Sequence, residues 1–210
     1  MSSTADPDSS LSTVPQSGPG DADNLVIIAR QAILDEQRAV YGYELFDRNT
    51  AADSHTAASD ASLLFNALSY AGSEALIGKT IVFVNCTHES LAGGHLELIH
   101  PDKVVLEVPT LAAGATPEQI EQMLPTLQSL RTRGFRLAFS QDVLRRAYMG
   151  WLPLASFIKL DMQAFKPELA EPLVKFARAN SQATLIAEKV ETAEQHERMA
   201  ALGVKLFQGY

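Results

Sequence analysis

At seven positions in this sequence, polar residues that could take part in catalysis or ligand binding stand at the end of a short apolar stretch. The set combines carboxylates, an amide and a lysine; such oxygen ligands suit Mg²⁺ or Mn²⁺, and a lysine can hold phosphate or a nucleophilic water. A charged residue after a strand is as often an ordinary solvated loop residue, but recurrence along the chain favours one shared site. The positions are Glu44, Asn85, Glu107, Ser140 with Gln141, Lys159 with Asp161, Glu188 and Gln208.

Residues 184–210 show how such side chains could be brought together. Residues 184–187 form an apolar run that predicts a strand followed by Glu188, and Thr192 opens an amphipathic helical pattern that ends at Gly203. Residues 204–207 predict a second strand, which Gln208 follows. In a parallel α/β barrel the loops at the carboxyl ends of the strands form the active-site face. We therefore expect Glu188 and Gln208 at equivalent strand ends.

The rest of the chain continues this alternation and predicts a TIM-like (β/α)8 barrel. The first two strands are separated by about eight residues, too few for a crossover helix, so we predict an antiparallel first hairpin. The chain stops on its eighth strand, and the part after the tail is shorter than the roughly 250 residues typical of such barrels. We therefore expect the final helix to be absent, as in a fragment or a chain completed by a partner. Further strands are predicted over 25–30, 39–45, 81–84, 103–106, 135–139 and 155–160, and helices over 60–71, 116–133, 141–148 and 168–180.

Composition predicts a single cytoplasmic globular domain over residues 24–210. The chain has 210 residues, of which 46% are apolar and 20% charged. Residues 1–23 are rich in Ser, Pro, Gly and Asp, which predicts a disordered tail. The net charge of −8 argues against binding to nucleic acid polymers or anionic membranes. No apolar run approaches the roughly 20 residues needed to cross a bilayer.

At these residues the chain resembles the EAL domain family, barrels that bind or hydrolyse the bacterial second messenger cyclic di-GMP. The resemblance covers nearly all of residues 25–210. Its motifs are YELF with Arg48, similar to the family's Glu-Ala-Leu and its phosphate-binding Arg, IKLD at 158–161, AEKVE at 187–191, similar to AEGVE, and FQGY at 207–210. The resemblance implies roles for seven residues: metal ligation by Glu44, Asn85 and Glu107, water orientation by Lys159, loop support by Glu188, and nucleotide contact by Arg48 and Gln208.

The chain departs from the family pattern after the strand at 135–139. Active members carry two adjacent Asp residues there, followed by a Gly-rich loop, whereas this chain has Ser140 and Gln141. In the family the two Asp residues bind both metal ions, and neither replacement is anionic. A two-metal clamp, with ions about 3.5–4 Å apart, should then not assemble. Asp142 is an alternative ligand if the loop shifts. We expect a degenerate domain without a cofactor, or one that uses Mg²⁺ or Mn²⁺ if the site is active.

Residues 30–48, RQAILDEQRAVYGYELFDR, resemble more closely a subgroup in which a degenerate EAL domain precedes a helical HDOD domain. In that subgroup the pair acts in signalling or as a scaffold. The resemblance implies a protein partner or a carboxyl-terminal HDOD domain, with cyclic di-GMP as a further ligand. The alternative function is a metal-dependent phosphodiesterase that converts cyclic di-GMP to linear pGpG.

Several conspicuous residues are interpreted as structural. Trp151 and Pro153 are expected in the core and in a turn, and the spacing of His88, His95 and His100 fits no common zinc pattern. Arg145 and Arg146 could meet phosphate, although paired arginines more often form a solvated helix face.

Overall fold

The computed structural model describes residues 28–47 and 80–209, and within them eight strands close into a barrel. Each strand pairs with its neighbours in chain order, and the eighth pairs with the first. The predicted barrel is therefore confirmed. The strands are β1 (Ile28–Leu34), β2 (Val40–Asp47), β3 (Ile81–Asn85), β4 (Val104–Glu107), β5 (Arg136–Ser140), β6 (Phe157–Asp161), β7 (Thr184–Val190) and β8 (Leu206–Gly209).

Strand β1 runs antiparallel to both β2 and β8, while the other neighbouring strands are parallel. The predicted hairpin is confirmed, and its turn is built around Asp35, whose Oδ1 accepts hydrogen bonds from the backbone N–H groups of Gln37 and Ala39, both at 2.9 Å. Arg38 adopts a positive φ of 62° in this turn. The predicted end of the first strand was wrong, because pairing with β2 continues beyond Arg30 to Leu34.

Five α-helices lie in the described residues, joined by short 3₁₀ turns. They are α1 (His88–Leu91), α2 (Pro117–Gln122), α3 (Leu124–Thr132), α4 (Ala170–Asn180) and α5 (Ala193–Ala201). The 3₁₀ turns are Gly94–Leu98, Pro101–Lys103, Gln141–Leu144, Arg146–Tyr148, Leu152–Leu154 and Pro167–Leu169. None of these helices is long and apolar enough to cross a membrane.

Two helix predictions need correction. The helix predicted over 116–133 starts at its Thr116 cap as expected but is interrupted at Met123, since Pro125 has no N–H to continue the ladder. The helix predicted over 141–148 is wrong: two 3₁₀ turns flank Arg145, whose φ of −69° and ψ of 145° are extended. Buried contacts override the helical pattern there, because the Tyr148 hydroxyl accepts a hydrogen bond from the Leu111 N–H at 3.0 Å.

The barrel interior is filled at its base by an apolar layer. Strand β2 contributes Gly42 to this layer, where a Cβ would lie 3.1 Å from the ring of Phe83. Seven other strands each contribute one buried side chain, as expected when inward-facing residues of a closed barrel stack in layers. The seven are Ile33, Phe83, Val105, Ala138, Phe157, Ile186 and Leu206.

A second core fills the space between the barrel and its helices. Trp151 lies at its centre, fully buried, and its indole N–H donates to the Ile120 carbonyl at 3.1 Å. Pro153 lies in the following 3₁₀ turn, so both structural interpretations are confirmed. The tail at 1–23, the helix at 60–71 and Arg48 lie outside the described residues.

Candidate functional site

A polar layer lies directly above the apolar layer of the barrel. On each parallel strand its member comes two residues after the member of the apolar layer, and on antiparallel β1 it comes two residues before. Because side chains alternate between the two faces of a strand, a spacing of two returns to the inside. The polar layer consists of Gln31, Glu44, Asn85, Glu107, Ser140, Lys159, Glu188 and Gln208.

Lys159 is the centre of the polar layer. Its Nζ lies 2.7 Å from Glu44 Oε2, 3.0 Å from Glu107 Oε2 and 3.0 Å from Glu188 Oε2. The Lys159 and Glu44 side chains are each 6% exposed, so this ion pair is shielded from water. One buried ammonium group thus holds three carboxylates that the fold brings from β2, β4 and β7.

Burial and charge act in opposite directions on this cluster. Burial raises the pKa of Glu107 to about 8, although the charge of Lys159 works against that rise. Burial alone would lower the pKa of Lys159, but the charges of Glu107, Glu44 and Glu188 outweigh it and hold the pKa above its ordinary value. Burial thus disfavours the charged form of Glu107, whereas the surrounding carboxylates favour the charged form of Lys159.

Amide side chains complete the hydrogen bonding of Glu44. Asn85 Nδ2 donates to Glu44 Oε1 at 3.0 Å, and Gln208 Nε2 donates to Glu44 Oε2 at 2.6 Å. Gln208 Nε2 also reaches Gln31 Oε1 at 3.0 Å, while Gln31 Nε2 donates to the Gly209 carbonyl at 3.1 Å. Gln31 was missed in the sequence, although it stands two residues before an apolar interior position and opposite Glu44 in the β1–β2 pairing.

The comparisons with known proteins agree with this geometry. No protein-family model matches the chain. A curated relative, "Cyclic di-GMP phosphodiesterase CdgJ" of Vibrio cholerae, is 29% identical in an alignment of 191 residues that covers 87% of this chain and 43% of CdgJ. The Bacillus subtilis YkuI protein with an EAL domain, solved with substrate c-di-GMP and calcium, matches at a TM-score of 0.64 with 23% identity, covering 86% of this chain and 53% of YkuI. The fold is that of an EAL domain.

A second solved neighbour and the curated relative support the same family. Klebsiella pneumoniae BlrP1, in a manganese and cyclic di-GMP complex, matches at a TM-score of 0.68 with 22% identity, over 96% of this chain and 58% of BlrP1. The chain spans about half the length of these proteins. The comparisons thus support the resemblance to the EAL domain family.

In this EAL-like barrel the two positions at the end of β5 where the family resemblance expects Asp are occupied by neutral residues with different surroundings. Ser140 is exposed. Gln141 Oε1 accepts a hydrogen bond from the Asp161 backbone N–H at 2.7 Å, which ties the end of β5 to the end of β6. Asp142 pairs with Arg145 at 2.7 Å, and both side chains of that pair are substantially exposed.

The expected positions of Glu188 and Gln208 just past their strands were wrong. Strand β7 continues to Val190 and β8 to Gly209, so both residues lie within strands. The β7–β8 register shifts between Ala187 and Val190, which resumes pairing opposite Gly209. This bulge explains the error, because it adds residues to the strand beyond the apolar run.

The bulge also positions a second lysine at the mouth of the barrel. Lys189 has a positive φ of 54°, and its Nζ lies 2.6 Å from Asp161 Oδ2. Beside this pair, Gln163 Nε2 donates to Glu191 Oε1 at 2.6 Å. These two contacts connect the end of β6 and the residues just after it with the end of β7 and the residue that follows it.

The donor set does not fit a pair of divalent metal ions. Oxygens of Glu44 and Glu107 accept hydrogen bonds from Lys159, Glu188 forms an ion pair with it, and the end of β5 supplies no carboxylate to the cluster. Within residues 28–47 and 80–209, no group of three or more His, Cys, Asp or Glu residues is arranged to hold a metal ion. A bridging carboxylate is what a two-metal centre requires to hold its ions close together.

Proposed function

We propose that this chain is a catalytically degenerate EAL-like domain that works in bacterial cyclic di-GMP signalling by binding rather than by hydrolysis. The observation that carries the proposal is the end of β5, where exposed Ser140 and neutral Gln141 add no carboxylate to the cluster that Lys159 forms with Glu44, Glu107 and Glu188. The positive charge of Lys159 already offsets part of the negative charge of the carboxylates to which the family resemblance gives catalytic roles. In this arrangement the cluster is a structural element of the barrel.

Charge explains why hydrolysis is disfavoured. Two divalent ions bring four positive charges, and burial raises the pKa of Glu107 to about 8, which disfavours the charged form of this ligand. The remaining carboxylates already face the charge of Lys159. Ser140 and Gln141 add no negative charge where the family has two Asp residues. Close approach of two divalent ions would therefore be poorly compensated.

The module binds a protein partner or, as the alternative, cyclic di-GMP without turnover. CdgJ is named a cyclic di-GMP phosphodiesterase, and YkuI and BlrP1 were solved with cyclic di-GMP bound. Gln208, and Arg48 outside the described residues, stand where the family contacts nucleotide. The resemblance to the subgroup with an HDOD domain supports a cytoplasmic scaffold whose protein partner is an attached HDOD domain or a separate chain.

A metal-dependent phosphodiesterase that produces linear pGpG is the second candidate. The observation that favours it is the polar layer itself, since Glu44, Asn85, Glu107, Lys159 and Glu188 converge as the catalytic reading of the resemblance requires. The name of CdgJ points in the same direction. Against it stand the neutral residues at the end of β5.

The test combines product analysis with metal titration. The purified chain is incubated with cyclic di-GMP and Mg²⁺ or Mn²⁺, linear pGpG is measured by chromatography, and Mn²⁺ binding is measured by calorimetry. We expect neither product nor saturable Mn²⁺ binding. Formation of pGpG that disappears in Glu44→Ala would show that the domain is an enzyme and overturn the proposal.

A pair of variants locates the defect. Ser140→Asp with Gln141→Asp restores the carboxylates at the end of β5 and should produce saturable Mn²⁺ binding. Gln128→Asp with Ser129→Asp adds the same charge on the exposed face of α3 and should not. Equal Mn²⁺ binding by both variants would mean that overall charge, and not the end of β5, controls metal affinity.

A further inference from the structure

The backbone at Lys189 is in a conformation that favours glycine. Its φ of 54° lies in the left-handed region, where a side chain is disfavoured by contact with its own backbone. The EAL family motif AEGVE has Gly at this position, whereas this chain reads AEKVE. A strained residue beside a candidate site is a reason to ask what its side chain contributes.

The side chain of Lys189 directs its charge to the mouth of the barrel. Its Nζ lies 2.6 Å from Asp161 Oδ2. In the backbone register of β6 and β7, Asp161 stands opposite Glu188. Asp161 is in turn anchored through its backbone N–H, which donates to Gln141 Oε1 at 2.7 Å. A chain of contacts thus runs from the degenerate position at the end of β5 to the Lys189 ammonium.

The two lysines of the site differ in their access to a ligand. The Lys159 side chain is 6% exposed and its ammonium is surrounded by three carboxylates. The Lys189 side chain is 54% exposed, and an ammonium group has three donors, of which one is used on Asp161. Lys189 therefore presents donors to the solvent at the mouth, next to Glu188.

We propose that Lys189, oriented by Asp161, binds a phosphodiester group of a bound dinucleotide. Its ammonium group supplies, at the mouth of the barrel, the positive charge that metal ions would otherwise bring. This inference rests on the proposed function, specifically on cyclic di-GMP binding without turnover. An ammonium group is a compact charge that binds phosphate oxygens directly. Binding of the dinucleotide is then independent of divalent ions and weakened by salt, which screens an exposed charge.

The experiment measures cyclic di-GMP affinity by calorimetry in EDTA, for the unmodified chain and for three variants. Lys189→Gly removes the charge and introduces the residue that suits the backbone, and we expect it to weaken binding about tenfold or more. Lys189→Arg keeps the charge and should retain most of the affinity. Lys205→Ala removes an exposed lysine just before β8, at the opposite end of the barrel, and should bind like the unmodified chain. Thermal unfolding of each variant verifies that it is folded.

The outcomes separate this inference from the function on which it rests. If folded Lys189→Gly binds as tightly as the unmodified chain in EDTA, the inference is wrong, whereas the non-catalytic function stands. Binding by the unmodified chain that appears only with Mg²⁺ or Mn²⁺, or no binding at all, overturns the inference as well. Production of pGpG overturns the proposed function regardless of the behaviour of Lys189.

Discussion

Replacing Lys159 with Met tests whether one ammonium group holds the polar layer together. Methionine extends the buried side chain to the ε position and lacks the charged terminal amino group. The lost contacts are those from Nζ to Glu44 at 2.7 Å and to Glu107 and Glu188 at 3.0 Å. Removing one partner of a buried ion pair typically costs about 3–5 kcal/mol, because the other charge is left without compensation.

The cost of Lys159→Met should depend on pH in a defined direction. Without the ammonium, Glu107 loses the charge that opposes the effect of burial, so its pKa rises further above the value of about 8. A carboxyl group with a raised pKa in the folded state favours folding at low pH, and this contribution is lost as pH rises toward the folded-state pKa. Each proton held only by the folded state changes stability by about 1.4 kcal/mol per pH unit. The loss in Lys159→Met should therefore be larger at pH 8.5 than at pH 5.5.

The assay is urea unfolding at both pH values, followed by the fluorescence of Trp151. This residue is the single tryptophan of the chain and is fully buried, so its emission reports on the core. The control is Lys175→Met, which breaks an exposed pair with Glu171 on α4 and should leave the unfolding midpoint unchanged. A loss below about 1 kcal/mol in Lys159→Met at both pH values, or an equal loss in the control, would refute this account.

Two further predictions follow from the same structure. The free energy of unfolding of the unmodified chain should fall as pH rises from about 4.5 to about 8, since burial raises the pKa of Glu107. Glu107→Gln should reduce this pH dependence in urea unfolding. An unchanged pH dependence would mean that other groups cause it. Gly209→Ala should destabilise the chain strongly, because a Cβ there would overlap the Val190 carbonyl, while Gly94→Ala, with open space around the added methyl, should leave the melting temperature within error. Equal melting temperatures for the two variants would contradict the close packing of β7 against β8.

The sequence predicted most of the barrel because its strands carry their own signals. Short apolar runs such as residues 81–84 and 155–160 are separated by turns and helical patterns, and a hairpin follows from a connection too short for a helix. The same regularity placed six of the predicted site residues in one layer. Glu44, Asn85, Glu107, Lys159, Glu188 and Gln208 meet because each follows an interior position by two residues.

The parts that the sequence could not predict depend on contacts between distant residues. The sequence predicts that the first strand ends at Arg30 and that Gln31 belongs to the connection, although pairing with β2 extends the strand to Leu34. The sequence predicted a shared site but not the individual ion pairs of Lys159 with three glutamates, which join residues 115, 52 and 29 positions apart. The turns at 141–148 likewise reflect burial of Tyr148, not helix propensity.

The direction of β1 determines where the chain enters the barrel. Ile28 pairs with Asp47, at the carboxyl end of β2, so the first strand starts at the rim that carries the polar layer and runs down to the base. Three residues inside that entry, Gln31 contacts Gln208, which contacts Glu44. The start of β1 is therefore connected directly to the site: a displacement of this strand would reach the buried Glu44 carboxylate through two amide side chains, without passing through a helix.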